Sequence, residues 1–309
     1  MIWLELGIGL LLLLAGGEGL VRGGAGLAAR LGVPPLVIGL TVLGFGTSTP
    51  ELVASLRAAL SGSPGIALGN VVGSNIANIA LILGLTALLT PIAVGRRAFR
   101  RDGTVMVAAS LALAGLCLAG TLGRAAGWAL IAGLALYTWV SFRHPLPGSE
   151  DSPPPPAPLG PGLLMLGLGL AGVVGGATLL VDSAVTIARD LGLSEAIIGL
   201  TLVAVGTSLP ELATSVLAAL RRQPDLAFGN IIGSNIFNIL GIIGLTAVTV
   251  PLTVPAEILR FDLWVMLATA VVLAGMAASG WRLSRLEGLT LLGGYALYLG
   301  ALFALPSLT

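Results

Sequence analysis

The 309-residue sequence contains no lysine, one cysteine, one histidine and few charges of either sign. Only 9% of the residues are charged, whereas a soluble domain carries about a quarter. The single cysteine, Cys117, excludes an internal disulfide and a thiolate metal cluster in this chain. A net charge of +1 gives no sign of a nucleic-acid partner, and no obligate protein partner is evident.

Hydrophobic residues are abundant instead: they make up 56% of the chain, and its mean hydropathy is +1.03. A soluble protein of this length could not bury so much apolar surface, so the sequence predicts an all-α, multi-pass integral membrane protein. Residues 1–21 lack a basic leader and carry Glu5, which indicates a first transmembrane helix rather than a signal peptide. We expect this helix and the others to lie in the cell inner (plasma) membrane.

Apolar segments of spanning length recur along the chain, each near the roughly 20 residues that a transmembrane helix needs. Ten are predicted, at 3–21, 36–60, 66–89, 104–122, 125–142, 163–181, 196–220, 226–249, 262–279 and 288–305. A proline-rich stretch, 143–161, predicts a linker between a first five-helix repeat at 1–142 and a second at 162–309.

The two halves are related in sequence, because residues 39–88 align without gaps with 199–248 and more than half of the positions are identical. Five spans per half place the second repeat in the membrane with inverted topology. With the N-terminus outside, the cytoplasmic loops hold every arginine except Arg57, Arg124, Arg189 and Arg260. The positive-inside rule therefore predicts extracytoplasmic termini and a cytoplasmic linker.

A polar hexamer interrupts one apolar segment in each half. The two copies are GTSTPE at 46–51 and GTSLPE at 206–211. Pro50 and Pro210 predict broken helices at the membrane midplane, where freed carbonyls need a polar or cationic partner. A carboxylate at that depth costs roughly 2.5–3.5 kcal/mol. Glu51 and Glu211 therefore require a bound cation or protons to compensate their charge.

The following segment of each half adds amide and hydroxyl groups at helical spacing. They fall at i, i+4 and i+8 on one helix face: Asn70, Ser74 and Asn78, and again Asn230, Ser234 and Asn238. Carboxylate, carbonyl and hydroxyl oxygens are hard ligands suited to Ca²⁺ and Na⁺. Hydrogen bonding between helices and helix capping are the alternative roles for these side chains.

The blocks GTSTPEL…GNVVGSN and GTSLPEL…GNIIGSN resemble the cation/calcium exchanger superfamily, specifically its prokaryotic sodium/calcium exchanger branch. The resemblance covers nearly the whole chain and implies that Glu51 and Glu211 ligate Ca²⁺. It implies further ion ligands at Thr47, Thr207, Ser48, Ser208, Ser74, Ser234, Asn78, Asn238, Gly44 and Ala204. Some members of the superfamily carry aspartate at the last polar position, where this chain has Asn238, so only two carboxylates charge its site.

These features predict a secondary active antiporter rather than an enzyme. It would exchange Na⁺ for Ca²⁺ by alternating access at a site built on two glutamates, with no cofactor besides the transported ions. The resemblance implies that the first and sixth helices slide against a rigid core. The alternative is a H⁺/Ca²⁺ antiporter in which the same glutamates carry protons. A hydrolase fits poorly, since acid and base roles need unequal environments.

Overall fold

The computed structural model describes residues 2–144, 158–190 and 206–304, and nearly all of these residues are helical. The helices before the linker are α1 (Ile2–Leu31), α2 (Pro35–Ile38), α3 (Gly44–Thr47), α4 (Thr49–Leu60), α5 (Pro64–Ile76), α6 (Gly84–Leu89), α7 (Arg96–Cys117) and α8 (Arg124–Arg143). Those after it are α9 (Leu159–Asp190), α10 (Leu209–Leu220), α11 (Pro224–Phe237), α12 (Gly244–Thr249), α13 (Leu263–Gly280) and α14 (Arg285–Ala304).

Wider π-helical turns join several of these helices into continuous helical segments. They lie at Gly39–Leu43, Ala77–Leu83, Asn238–Ile243 and Ile258–Asp262. The first joins α2 to α3, the second joins α5 to α6, and the third joins α11 to α12, while the fourth leads into α13. Such turns insert a residue into the helical repeat and change which face the following side chains occupy.

Two short antiparallel ladders connect the halves. Their strands are β1 (Ile92–Ala93), β2 (Thr121–Leu122), β3 (Leu252–Thr253) and β4 (Arg282–Leu283). Strand β1 pairs with β4, with Ile92 opposite Leu283, and β2 pairs with β3, with Leu122 opposite Leu252. Each ladder therefore takes one strand from each half.

Six helices in the described part of the chain are long and apolar enough to cross a membrane. They are Ile2–Leu31, Pro64–Leu89, Arg124–Arg143, Leu159–Ile187, Pro224–Thr249 and Ile258–Gly280. A seventh counts if Pro35–Thr47 and Thr49–Leu60, which are bent by 43°, form one span. The ten-span count remains a prediction. Residues 196–205 of the seventh predicted segment and 145–157 of the predicted linker lie outside the described residues.

The centre of the molecule is formed by the helices Pro64–Leu89 and Pro224–Thr249. In their most apolar stretches 78% and 83% of the residues are buried, compared with 33% or less in the other four long helices. Since these two helices carry the asparagines and serines singled out in the sequence, their polar groups lie inside the protein and do not face lipid.

Two long helices, α1 and α9, pack against each other through glycines. A Cβ atom on Gly16 would lie 2.5 Å from the backbone nitrogen of Val173, and one on Gly176 would lie 2.5 Å from that of Leu13. No side chain larger than hydrogen fits at these positions unless the helices separate. The backbones of the two helices therefore lie in direct contact at these glycines, with no side chain between them.

Candidate functional site

The site begins at a break in the helical path between α3 and α4. Ser48 lies at the break with φ −81° and ψ 9°, outside helical geometry, and Pro50 falls in the first turn of α4. Proline is tolerated there because the backbone N–H groups of a first turn have no acceptor within the helix, so the N–H that proline lacks is not missed. Glu51 therefore sits at the N-terminal end of α4, where the helix dipole favours negative charge.

The second hexamer has the same local geometry in its described part. Ser208 has φ −92° and ψ 8°, Pro210 lies in the first turn of α10, and Glu211 follows it. Both glutamates are fully enclosed, with 1% of Glu51 and none of Glu211 exposed. The break after a serine and the carboxylate one turn further on are thus duplicated, as the repeated hexamer predicts.

Hydroxyl groups cross between the halves to reach these carboxylates. Ser48 Oγ donates a hydrogen bond of 2.8 Å to Glu211 Oε1, and Ser208 Oγ donates one of 3.2 Å to Glu51 Oε1. Ser234 Oγ lies 3.5 Å from Glu211 Oε1 as well. Each broken helix therefore binds the carboxylate of the other, and both carboxylates lie at one junction.

The second carboxylate oxygens have no such contacts. Among the described residues, Oε2 of Glu51 and Oε2 of Glu211 are buried without a hydrogen-bond partner. Oδ1 of Asn78 and Oδ1 of Asn238 are in the same condition. The two amide oxygens can only accept hydrogen bonds, and the two carboxylate oxygens can only accept them when the acids are ionised. A buried acceptor without a partner is unfavourable, so this arrangement is suited to a positively charged ligand.

The asparagines of the two central helices bind one another reciprocally. Asn78 Nδ2 donates to Asn235 Oδ1 at 3.3 Å, and Asn238 Nδ2 donates to Asn75 Oδ1 at 3.0 Å. The four side chains thereby tie the helices together and leave one amide oxygen of Asn78 and one of Asn238 unused. Asn75 and Asn235 are not among the predicted ligands, but their side-chain oxygens accept hydrogen bonds from the two amides that are.

Asn70 and Asn230 hold the broken helices in place. Asn70 Nδ2 donates to the backbone oxygen of Glu51 at 3.2 Å and to Ser55 Oγ at 2.9 Å. Asn230 Nδ2 makes the equivalent bonds to Glu211 at 3.5 Å and to Ser215 Oγ at 2.9 Å. The sequence suggested a cap or an ion ligand at these asparagines, and Ser55 and Ser215 carried no signal except their repetition. The bonds fix the backbone on which each carboxylate stands.

Two further predicted site residues, Thr47 and Gly44, contact the same junction. Thr47 is buried and donates to Asn230 Oδ1 at 3.2 Å, and the backbone oxygen of Gly44 accepts a 3.1 Å hydrogen bond from Ser234. Ser74 is buried on α5, and Thr207 precedes Ser208 at the second break. Ala204 lies outside the described residues.

Glycines allow the first broken helix to approach α11 closely. A Cβ atom on Gly44 would lie 2.8 Å from the backbone nitrogen of Ser234, and one on Gly233 would lie 2.1 Å from the backbone oxygen of Leu40. Any larger side chain at either position would push Ser234 away from the Gly44 carbonyl. The glycines therefore help to set the distance between the Ser48 break and the helix that carries Asn238.

No arginine neutralises the two glutamates in the described part of the chain. The ion pairs found there join Glu18 to Arg22 and Arg221, and Asp102 to Arg101. The Glu18 pairs are partly solvent-exposed and lie away from the site. Two enclosed carboxylates therefore share one junction with hydroxyls and amides but without a protein cation.

Comparison with known proteins relates this geometry to transport proteins. A profile of the sodium/calcium exchanger protein family matches residues 1–143 and 161–304. CaxA of Alkalimonas amylolytica is 39% identical, with 96% of this chain and 97% of that protein covered. The sodium/calcium exchanger MaX1 of Methanosarcina acetivorans is 34% identical, with 96% and 97% covered.

Among solved structures, the chain is similar to the sodium-calcium exchanger NCX_Mj soaked with Na⁺ and Ca²⁺. The TM-score is 0.86 at 32% sequence identity, with 99% of each chain covered. The family profile spans nearly the whole described chain, and the similarity to MaX1 and NCX_Mj is equally extensive. By sequence and by fold, the chain belongs to the sodium/calcium exchanger protein family.

Proposed function

We propose that this chain is a Na⁺/Ca²⁺ antiporter that works by alternating access, with Glu51 and Glu211 as the shared ion ligands. Membership of the exchanger family and the similarity to MaX1 and NCX_Mj support the class of transport. The single observation that carries the site is the set of four buried acceptor oxygens without partners, on Glu51, Glu211, Asn78 and Asn238.

A metal cation could bind carboxylate and amide oxygens of this set together. Protons would have to occupy both glutamates at once, since one proton adds one donor and serves at most two of the four oxygens. Two carboxylates neutralise Ca²⁺ fully, and hydroxyl and carbonyl oxygens supply the neutral ligands that Na⁺ needs. The proposed neutral ligands are the described members of the predicted set: Thr47, Thr207, Ser48, Ser208, Ser74, Ser234, Asn78, Asn238 and Gly44.

Competition between the ions follows from this arrangement. Because Ca²⁺ and Na⁺ use the same two carboxylates, binding of one excludes the other, and each must leave before the exchanger takes up its counterpart. Three Na⁺ ions at the site would leave a charge that one Ca²⁺ does not. In that case the exchange moves net charge and responds to membrane voltage.

We also propose that the halves 1–142 and 162–309 are inverted repeats of five spans each, joined by the linker 143–161. The reciprocal ladders β1–β4 and β2–β3 support this arrangement, as do the exchanged bonds of Ser48 and Ser208. A twofold relation between halves generates such pairs. The glycine-lined contact of α1 with α9 suits helices that slide as a unit past the site.

The test is ⁴⁵Ca uptake into proteoliposomes under an imposed Na⁺ gradient, with any proton gradient collapsed by an ionophore. We expect uptake to follow the Na⁺ gradient and to persist when the proton gradient is removed. Uptake that requires the proton gradient and ignores Na⁺ would instead support the H⁺/Ca²⁺ alternative. Glu257→Gln, which removes an exposed acid outside the site, is the matched control for variants of Glu51 and Glu211.

A further inference from the structure

A groove of about 620 Å³ runs between α7 and α13, away from the proposed ion site. Most of its length is lined by apolar side chains, including Val107, Leu111 and Ala274. At one end, the lining changes to Arg96, Arg100 and Trp281. The groove thus has a long apolar part and a short basic part, and it joins the two halves of the chain.

The basic end is organised around an aromatic ring. The guanidinium carbons of Arg96 and Arg100 lie 5.1 and 5.6 Å from the ring centroid of Trp281, within the range of cation–π attraction. Both arginines are exposed, and neither takes part in the ion pairs found among residues 2–144, 158–190 and 206–304. Their charges are therefore held side by side at this end of the groove.

The backbone of Trp281 is unusual. Trp281 has φ +53°, in the left-handed region that disfavours bulky side chains. Its structural counterpart in the other half is Gly120, with φ +75°: the Trp281 oxygen accepts from the Val94 nitrogen, as the Gly120 oxygen does from that of Val254. A tryptophan therefore stands where the matching turn uses glycine, and it does so despite backbone strain.

The arginine pair is also confined to one half. The spacing that relates Val94 to Val254 makes Ala256 the equivalent of Arg96 and Arg260 the equivalent of Arg100. In the other half, the three equivalent positions therefore hold one arginine and no aromatic ring. Twofold repetition of the fold does not explain the Arg96, Arg100 and Trp281 cluster, which is specific to one end of the groove.

We propose that this groove binds an anionic phospholipid of the cytoplasmic leaflet. The lipid phosphate would lie on Arg96 and Arg100, and an acyl chain would follow the apolar wall past Val107, Leu111 and Ala274. Arginine suits phosphate because its planar guanidinium donates paired hydrogen bonds. Basic pockets between transmembrane helices on the cytoplasmic side favour acidic headgroups. The arginine-rich segment 96–101, at the start of α7, is predicted to be cytoplasmic by the positive-inside rule.

A membrane lipid is the occupant that matches both parts of the groove. The apolar wall lies along helices predicted to cross the bilayer, where acyl chains are the surrounding medium, so a soluble anion would leave that wall unfilled. Because α7 and α13 belong to different halves, a lipid bound here would brace the junction between them. This inference does not depend on which ion drives transport.

Lipid binding can be measured by native mass spectrometry of the full chain in detergent, titrated with phosphatidylglycerol or with phosphatidylcholine. We expect the wild type to retain phosphatidylglycerol in preference, by a factor on the order of tenfold. The variant Arg96→Gln/Arg100→Gln should lose that preference. The control Arg97→Gln/Arg143→Gln, which removes two exposed arginines outside the groove, should keep it.

A second variant covers the case in which the arginine pair affects folding. Trp281→Gly copies Gly120, relieves the backbone strain and removes the ring; we expect it to fold and to lose most of the preference. Equal binding of both lipids by the wild type would overturn the proposal. So would equal losses in the two arginine variants, since the effect would then reflect total charge, and so would an unchanged preference in Trp281→Gly.

Discussion

Ser48 donates a 2.8 Å hydrogen bond to Glu211, a residue 163 positions further along the chain and in the other half of it. Ser208 makes the reciprocal contact with Glu51 at 3.2 Å. Each hydroxyl is therefore coupled to the carboxylate of the opposite half, and not to the one that follows it in its own hexamer. Proximity in the sequence alone would instead pair each serine with the glutamate of its own hexamer.

The first prediction uses a double-mutant cycle on Ca²⁺ affinity. Ser48→Ala should couple to a conservative change at Glu211, Glu211→Asp, by about 1 kcal/mol, and far less to Glu51→Asp. Ser208→Ala should show the opposite preference. Isothermal titration with Ca²⁺ in detergent measures both cycles. Equal coupling of each serine to both acids would contradict crossed pairing.

The second prediction concerns the acids themselves. Glu51→Gln and Glu211→Gln should each abolish Na⁺-driven ⁴⁵Ca uptake, because one remaining carboxylate leaves an enclosed Ca²⁺ ion only half neutralised. Thermal unfolding in detergent should remain cooperative in both variants. The exposed control Glu257→Gln should transport at the wild-type rate. Near-normal transport by either site variant would show that the carboxylates do not share one ion.

The third prediction separates the two transported ions. Ser234→Ala should raise the Na⁺ concentration for half-maximal exchange more than that for Ca²⁺, since Ca²⁺ keeps both carboxylates in this variant. The loss of one oxygen partner corresponds to about 1–3 kcal/mol. Ser74→Ala, its counterpart in the first half, should behave alike. A larger effect on Ca²⁺ than on Na⁺ in proteoliposome flux would argue against hydroxyl ligation of Na⁺.

The fourth prediction tests the close approach of the first broken helix to α11. Gly44→Ala places a Cβ atom 2.8 Å from the backbone nitrogen of Ser234, so we expect a loss of about 1–3 kcal/mol in stability together with weaker ion binding. Gly115→Ala, in a helix with open space around the added atom, is the control and should be neutral or stabilising. Thermal unfolding in detergent compares the two variants.

The fifth prediction concerns orientation. In a Cys117→Ala background, a cysteine placed in the linker by Ser152→Cys should resist an impermeant thiol reagent added to intact cells. Ser61→Cys, in the turn between α4 and α5, should react from outside. Labelling of the linker from outside would reverse the orientation predicted from the arginines.

The repeated hexamers were sufficient to predict the breaks at Ser48 and Ser208 and the burial of Glu51 and Glu211, because proline and a buried carboxylate act locally and their chemistry is visible in the sequence. The partners of those groups were harder to predict. The i, i+4 pattern places Asn78 on the face of Ser74, but a π-helical turn begins at Ala77 and changes the direction of the residues after it. Asn78 meets Asn235 across the core, and periodicity does not specify this contact between two helices.

The holding role of Asn70 also depends on an approach between elements that periodicity does not encode. Its bond to the backbone oxygen of Glu51 exists because α4 and α5 lie side by side after the turn at 61–63. The tryptophan at Trp281 is a similar case, since its left-handed backbone ends α13 immediately before β4. Neither feature has a signature in the spacing of residues.

The crossed bonds between the hexamers also have a consequence for the time course of biosynthesis. Ser208 and Glu211 are translated more than 150 residues after Ser48 and Glu51, as the sequence separations of 157 and 163 show. At ribosomal rates of about 5–20 residues per second, Glu51 waits roughly 8–30 s for its partner. During that interval, the carboxylate of Glu51 lacks the hydroxyl of Ser208 and must stay hydrated or protonated at the insertion machinery. The nascent chain therefore carries an acid without its partner until the second half emerges.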